Sequence, residues 1–177
     1  KNYFINGILS TGANVIDTKI LPTPVNYYSM YHLNTDAAVQ ITGSHNPKEY
    51  NGFKFSCMKE SFYGEKIQLL KNLIIDNDFE TGVGKLESQD ILESYIKMLC
   101  SKISVNKKLR VIIDSGNACA SLSAPQTLKM LNIDLKELYC DVDSSFPNHH
   151  PDPTVDSNLK DIVSEIKNGN YDLGMAF

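Results

Sequence analysis

The sequence predicts an α/β fold built from two small three-layer domains whose sheets are mixed or parallel. In the second half of the chain, short apolar segments alternate with amphipathic ones, the order expected for parallel strands joined by right-handed crossovers. Near the middle, the Thr-Gly-Val-Gly segment at 81–84 interrupts the hydrophobic pattern. We therefore place a boundary at residues 86–88 and predict domains at 1–87 and 88–177. A hydrophobic content of 42% in 177 residues is ordinary for a globular protein with a buried core.

The first domain is predicted to open with a strand, a helix and a second strand. The first strand covers 15–20, and the Pro-Thr-Pro segment at 22–24 then supplies a stop, a cap and a first-turn proline for a helix at 25–33. The short apolar segment 37–41 has the composition of an inner parallel strand.

A turn and a second helix follow in the same domain. Asn51-Gly52 is a strong turn signal, so 53–56 is predicted to form a neighbouring antiparallel or edge strand that carries Lys54. The segment 64–76 has apolar residues at helical spacing, which predicts a helix with one buried stripe that packs as a covering layer. The residues of this stripe are Ile67, Leu70, Leu73 and Ile74.

The second domain is predicted to alternate helices and strands. Ile91, Tyr95, Met98 and Leu99 have the spacing of a helix that ends near Ile103. The elements predicted after it are strand 109–113, helix 124–131, strand 135–139, helix 155–167 and strand 171–177.

Composition and charge exclude several classes of function. A net charge of −4 and a single arginine, Arg110, argue against a nucleic-acid surface, which needs clustered cations. No apolar run approaches the roughly 20 residues needed to cross a bilayer, and the amino end lacks a signal segment, so no membrane partner is expected and the cytoplasm is the expected location. The cysteines form no C-x-x-C pair, which favours free, partly buried thiols.

The strongest candidate for chemistry is Ser44, which lies beside His45 in a Gly-Ser-His-Asn-Pro turn directly after a predicted buried strand. Any tight loop prefers these residue types, so Ser44 could be a polar turn residue. It could also carry a transferable phosphoryl group, because Gly43 admits close approach by a ligand, Pro47 stiffens the loop and His45 could bond to phosphate oxygens.

Serine is a weak nucleophile, so phosphoryl exchange would need a nearby base, a divalent cation and in-line positioning. Lys54, ten residues after Ser44, could balance phosphate charge or shuttle a proton, and the predicted strand would let the two side chains meet. The alternative for Lys54 is a solvated strand lysine.

Three other features carry weaker functional interpretations. His149, His150 and Asp152 could be zinc ligands, but neighbouring side chains on extended backbone point apart and the surrounding prolines favour a rigid connector. The turn at 114–117 could bind phosphate, although the three-glycine nucleotide fingerprint is absent. His32 lies within a predicted helix and is assigned to packing or to the surface.

Three segments together resemble the α-D-phosphohexomutase family of phosphomannomutases and phosphoglucomutases. They are Thr-Gly-Ser-His-Asn-Pro at 42–47, Tyr-Asn-Gly-Phe-Lys at 50–54, and the 146–153 segment with Asn-Leu-Lys-Asp at 158–161. Members of this family have four domains around a cleft. The resemblance covers the latter part of the first domain and most of the second, so we expect a phosphohexomutase-like chain that is truncated at both ends.

The resemblance implies an intramolecular phosphotransferase that interconverts hexose 1-phosphate and hexose 6-phosphate of mannose, glucose or both. Ser44 would be the phosphoserine, Lys54 the general acid or base, and His45 a residue lining the loop. These three would also contact the substrates, which are hexose phosphates and hexose 1,6-bisphosphate. Mg²⁺ would touch the Ser44 phosphate, and its aspartate ligands are expected just after Phe177, so the chain alone is expected to be inactive.

Two departures from the family pattern and two rival functions accompany this interpretation. Gly43 stands where alanine is commonest, and Ala118 stands where glycine is usual. The first rival is a catalytically silent α/β module that binds a phosphosugar or a partner. The second is a sugar-phosphate dehydrogenase or nucleotide-binding domain, suggested by the alternating elements of the second half. The sequence leaves the preferred sugar and the oligomeric state open.

Overall fold

The computed structural model describes residues 1–47 and 49–177, which fall into two compact units. The first unit comprises Lys1–Lys19, Thr23–Thr42 and Asn51–Ile91, and the second comprises Ile20–Pro22, Gly43–Tyr50 and Leu92–Phe177. The elements of the first unit are α1 (Asn2–Leu9), β1 (Val15–Asp17), α2 (Thr23–His32), β2 (Ala37–Thr42), β3 (Gly52–Cys57), β4 (Glu60–Phe62), α3 (Glu65–Ile75) and β5 (Leu86–Ser88). Those of the second are α4 (Leu92–Lys102), β6 (Arg110–Asp114), α5 (Ala124–Met130), β7 (Asp134–Leu138), α6 (Lys160–Asn168) and β8 (Leu173–Ala176).

The main sheet of the first unit is an antiparallel meander of β2, β3 and β4. Its second hairpin turns at Met58 and Lys59, whose φ angles of 50° and 66° are those of a two-residue turn that matches the twist of the strands. β2 pairs antiparallel with β3 along its whole length, from Ala37 opposite Cys57 to Thr42 opposite Gly52. The prediction of an inner parallel strand at 37–41 is therefore wrong, because a short apolar run indicates burial but not the direction of the partner strand.

Apolar contacts hold α1 and α2 of the first unit in place. Val25 and Met30 of α2 and Ala38 of β2 are buried, which confirms the predicted helix and strand. Phe4 of α1 packs against two rings of β3, with centroids 5.2 Å from Phe53 and 6.3 Å from Phe55. These ring contacts pack α1 against β3, although Phe53 stays 49% exposed.

Helix α3 forms where the sequence predicts it, but its apolar stripe is not buried. None of its residues is buried, and Leu73 and Ile74 are 44% and 62% exposed. The prediction that this helix packs as a covering layer is wrong for the described residues. Helical spacing of apolar residues predicts which face can be buried, whereas burial itself needs a matching surface.

Two glycines allow a close backbone approach in the first unit. β1 and β5 pair in parallel, and the main chain just before them is joined by the bridge between Thr11 and Gly82. A Cβ added at Gly82 would lie 2.8 Å from Gly12 Cα, and one added at Gly84 would collide with the carbonyl of Ala13. The 81–84 segment thus packs directly against the backbone of Gly12 and Ala13.

The second unit contains the small parallel sheet that the sequence predicts. Its strand order is β7-β6-β8 with all pairs parallel. The central strand β6 is buried from Val111 to Asp114, as expected for a strand covered on both faces. One face packs in a cluster of Val111, Ile113 and Ile133. Short 3-10 helices at Cys119–Leu122 and Asp156–Leu159 precede α5 and α6.

Within residues 1–47 and 49–177, no helix is both long enough and apolar enough to cross a membrane.

Candidate active site

Ser44 lies in a tight turn that follows the end of β2. Its φ angle is 54°, a left-handed conformation that is uncommon for a residue other than glycine. The backbone and side-chain amides of Asn46 both donate to the carbonyl oxygen of Gly43, at 3.1 and 2.9 Å. The Tyr50 amide donates to the Pro47 carbonyl at 2.9 Å. The turn therefore fixes the backbone on both sides of the serine.

Gly43 fits this turn because it has no side chain. A Cβ at this position would lie 2.9 Å from the carbonyl oxygen of Tyr50, which is closer than such atoms normally approach. Alanine here would require the end of the loop to shift. The glycine thus gives this chain a tighter closure of the loop than the alanine expected from the family pattern would allow.

His45 exchanges two hydrogen bonds with a segment more than a hundred residues away in the sequence. Its ring Nδ1 donates to the carbonyl oxygen of Pro151 at 2.6 Å. In return, Nε2 of His150 donates to the carbonyl oxygen of His45 at 2.7 Å. Both bonds lie within the second unit, to which residues 43–50 belong. The Ser44 turn is thereby tied to the 149–151 segment.

His149 anchors that segment to the end of β6. Its Nε2 contacts both oxygens of the Asp114 carboxylate, at 3.1 and 3.0 Å, and its Nδ1 contacts the carbonyl oxygen of His150 at 2.9 Å. Both ring nitrogens face acceptors, so only the doubly protonated ring satisfies all three contacts. Burial lowers the pKa of His149, but the bonds to the His150 carbonyl and to Asp114 outweigh it and raise the pKa above its ordinary value.

Lys54 lies on β3, directly opposite Gln40, and its side chain is exposed. It belongs to the first unit, whereas Ser44 and His45 belong to the second. The structure therefore brings His45 together with His150 and Pro151, and the meeting of Ser44 with Lys54 stays a prediction.

Two protein-family models match consecutive parts of the chain. The model of the phosphoglucomutase/phosphomannomutase alpha/beta/alpha domain I matches residues 1–80, and that of domain II matches residues 93–177. The chain belongs to the phosphoglucomutase/phosphomannomutase family. The two matches agree with the resemblance drawn from the serine turn and the histidine-proline segment.

Individual members of the family confirm the assignment. The chain is 44% identical over 173 residues to a phosphomannomutase/phosphoglucomutase of Pseudomonas aeruginosa, covering 98% of this chain and 37% of the relative. It is 36% identical to a phosphoglucomutase of Neisseria meningitidis serogroup B, covering 97% and 38%. A crystal structure of a phosphoglucomutase/phosphomannomutase family protein from Burkholderia thailandensis matches with a TM-score of 0.93 and 35% identity, over 99% of this chain and 40% of that one. The chain thus spans well under half the length of these relatives.

Membership in this phosphohexomutase family implies a metal cofactor. The described residues contain no group of three or more His, Cys, Asp or Glu side chains that could hold an ion. The two histidines that suggested zinc are engaged elsewhere, since Nε2 of His149 faces Asp114 and Nε2 of His150 faces the His45 carbonyl. The side chains described here do not by themselves fit a metal.

The turn at 114–117, which could have bound phosphate, organises the neighbouring loops. The side-chain amide of Asn117 donates to the Asp141 carbonyl at 2.9 Å, and its oxygen accepts from the Asn148 amide at 2.8 Å. Gly116 has a φ angle of 50° and is approached by Pro151, whose Cα would lie 3.1 Å from an added Cβ. These contacts position the 149–151 segment that supports His45.

The sequence predicts Ser44 and His45 as site residues, and it does not predict the hydrogen bonds by which Asp114, His149 and His150 support their turn. The adjacent histidines are one signal in the sequence, where they suggest a metal site. A carboxylate at the end of a buried strand was the second available signal, because a charge in that position needs a partner. Neither of these sequence features indicates which loop the residues support.

Proposed function

We propose that this chain is the phosphoserine-bearing part of a phosphohexomutase, which interconverts hexose 1-phosphate and hexose 6-phosphate of mannose, glucose or both. The observation that carries this proposal is the strained, hydrogen-bonded turn that presents Ser44, in a chain that belongs to the phosphoglucomutase/phosphomannomutase family. Backbone strain of this kind concentrates at functional sites. Residues 1–87 would be the domain that carries the phosphoserine, and residues 88–177 the second domain.

The proposed chemistry moves one phosphoryl group at a time. The bond between phosphorus and Ser44 Oγ breaks as a hexose hydroxyl oxygen bonds to phosphorus, and the hydroxyl proton passes to a base. The resulting hexose 1,6-bisphosphate reverses its orientation in the site and then returns its other phosphate to Ser44 Oγ. Lys54 is proposed as the residue that accepts and returns the proton. The exchange leaves the serine phosphorylated, so no phosphate is consumed.

The hydrogen bonds of His45 support its proposed place beside the phosphate. Because Nδ1–H donates to the Pro151 carbonyl, Nε2 is the ring nitrogen that remains for a phosphoryl oxygen, to which it would donate in the doubly protonated form of the ring. The same bond fixes the ring plane, so a contact at Nε2 would need little further ordering. We therefore propose Ser44, His45 and Lys54 as both the catalytic and the substrate-binding residues of this chain.

We propose Mg²⁺ as the cofactor, with the phosphate on Ser44 as one ligand. A divalent ion there would spread the charge of the phosphate during transfer. The described side chains contain no group of three or more His, Cys, Asp or Glu that could supply the other ligands.

Phosphopeptide mass spectrometry tests the assignment of Ser44. After incubation with glucose 1,6-bisphosphate or mannose 1,6-bisphosphate, the peptide containing Ser44 is expected to gain one phosphate. Ser44→Ala should abolish this gain and the mutase exchange. Ser101→Ala, which changes an exposed serine of α4 that bonds to the Met98 carbonyl, is the matched control and should leave both unchanged. Phosphate that persists in Ser44→Ala, or appears on another residue, would refute the assignment.

The rival that retains some support is a silent module that binds phosphosugars without turning them over. The lack of a metal cluster among the described side chains is the observation in its favour. Calorimetric binding of a hexose phosphate, with no phosphate transferred to Ser44 under the same conditions, would favour the module. For either function we propose a cytoplasmic protein that acts on hexose phosphates, without a nucleic-acid or membrane partner.

A further inference from the structure

The Ser44 turn holds a conformation that its own sequence does not favour. A φ of 54° at a residue with a side chain carries a conformational cost, and such a residue persists when the surrounding structure holds it. The bonds inside the turn, from Asn46 to Gly43 and from Tyr50 to Pro47, are local. Local bonds of this kind form in many loop conformations, so they do not by themselves select this one.

Two hydrogen bonds connect the turn to a distant part of the chain, and both involve His45, the residue next to Ser44. One comes from the His45 ring to the Pro151 carbonyl, and the other from the His150 ring to the His45 carbonyl. The second bond holds the His45 carbonyl, which belongs to the peptide bond between His45 and Asn46. It therefore restrains the backbone on which the serine is carried.

The far end of this connection is rigid. Pro151 is buried and has a fixed φ, and the preceding His149 is held by the Asp114 carboxylate, which is 1% exposed at the end of the central strand. The support for the turn thus extends through consecutive residues to the core of the second unit. The Pro151 acceptor is main chain, whereas the His150 donor is a side chain that can be replaced.

We propose that His150 is a positioning residue, which holds the Ser44 turn in the conformation that accepts and donates phosphate. This inference rests on the proposed function. His150 also lines a shallow recess of about 260 Å³ beside the turn, so a direct contact with substrate is the competing explanation. The other residues of the recess are Pro47, Glu49, Ser145 and Phe146. Positioning affects the rate of transfer, whereas a uniform substrate contact affects KM.

Three substitutions separate the donor at Nε2 from the rest of the side chain. His150→Ala removes the donor. His150→Gln keeps an amide nitrogen near the place of Nε2, and His150→Asn places its amide nitrogen near Nδ1 instead. Gln and Asn have similar polarity, so a general effect on folding would be shared by both. His32→Gln is the control for the same exchange at an exposed helix position.

The first readout is amide hydrogen exchange of Asn46 and Tyr50, measured by NMR on the chain as it stands. Because both amides are bonded within the turn, loss of the His150 bond should speed their exchange by roughly three- to tenfold in His150→Ala and His150→Asn. His150→Gln and His32→Gln should stay close to wild type. If the amide exchange rates were the same in His150→Gln and His150→Asn, whether both fast or both close to wild type, the proposal would be overturned.

The second readout is the rate at which Ser44 gains phosphate from hexose 1,6-bisphosphate. His150→Ala and His150→Asn should slow this rate by roughly tenfold with KM changed by less than about threefold, and His150→Gln should restore most of it. A large rise in KM with an unchanged rate would assign His150 to substrate contact and overturn the positioning role. If wild-type Ser44 takes up no phosphate, the mutase proposal fails, while amide exchange still decides whether His150 holds the turn.

Discussion

Replacing Asp114 by asparagine should change how the stability of the second unit depends on pH. The Asp114 carboxylate accepts from His149 Nε2 through both oxygens and from the Gly116 amide at 2.9 Å. The side chains of Asp114 and His149 are 1% and 14% exposed, so solvent screens the pair only weakly. A hydrogen bond between charged groups contributes about 1.5–3 kcal/mol to folding. Asp114→Asn should therefore lower the free energy of unfolding by about that amount at pH values where His149 is charged.

The sign of the pH dependence follows from the raised pKa of His149. Burial lowers this pKa, but the His150 carbonyl and Asp114 raise it by more. The protonated ring is thus favoured in the folded state, so the stabilisation is complete below the unfolded pKa of about 6.5 and is lost as the pH rises through the folded value. Wild type should lose stability as the pH rises above about 6.5. In Asp114→Asn the negative charge that favours the protonated ring is absent, so the loss of stability with rising pH should shrink or reverse.

Urea unfolding followed by circular dichroism, repeated at pH intervals, measures this difference. Asp143→Asn is the matched control in the same unit. The Asp143 carboxylate accepts from the backbone and side chain of Ser145, which lowers its pKa, so its contribution is lost only as the pH falls below about 4. The control should keep the wild-type slope above about pH 6.5. Identical slopes for wild type and Asp114→Asn would show that Asp114 does not hold the charged form of His149.

Two further predictions concern packing and are checked by the same unfolding measurement. Gly84→Ala would force a Cβ into the Ala13 carbonyl and should cost about 2 kcal/mol or more, whereas Gly7→Ala, with nothing within 4 Å, should be neutral or stabilising by up to about 1 kcal/mol. Equal stability of these two variants would refute the close approach. Ile113→Ala at a fully buried position should cost about 2–5 kcal/mol, and Ile74→Ala, at a position 62% exposed, should stay within about 0.5 kcal/mol. A large loss for Ile74→Ala would mean that α3 is buried.

The parallel sheet of the second unit could be predicted from the sequence because each of its signals is local. The apolar run at β6 is continuous, as burial on both faces requires, and helical segments separate it from the strands on either side. A strand followed by a helix and another strand has few ways to pack. The order of strands and helices along the chain therefore predicts most of the topology of this sheet.

The first unit was harder to predict because its decisive contacts involve direction and close approach. The apolar run at β2 is equally compatible with a parallel and with an antiparallel strand. Its direction relative to its partner is set by β3, which follows it and pairs with it antiparallel. Gly82 and Gly84 look like loop residues, yet they allow the backbone to pass Gly12 and Ala13. The stripe on α3 predicted the helix correctly, but no local signal states whether another surface covers it.

The serine turn could be predicted from local sequence, whereas the contacts that support it could not. The sequence predicts a role for Ser44 because a hydroxyl, an imidazole and turn residues are neighbours in the chain, whereas the turn is supported by residues more than a hundred positions away. Side chains of neighbouring residues on extended backbone point to opposite sides, so two adjacent histidines are suited to two different partners. His149 faces the buried carboxylate of Asp114 and His150 faces the serine turn. A pair of histidines after a buried aspartate is therefore better interpreted as a connection between a core and a loop than as half of a metal site.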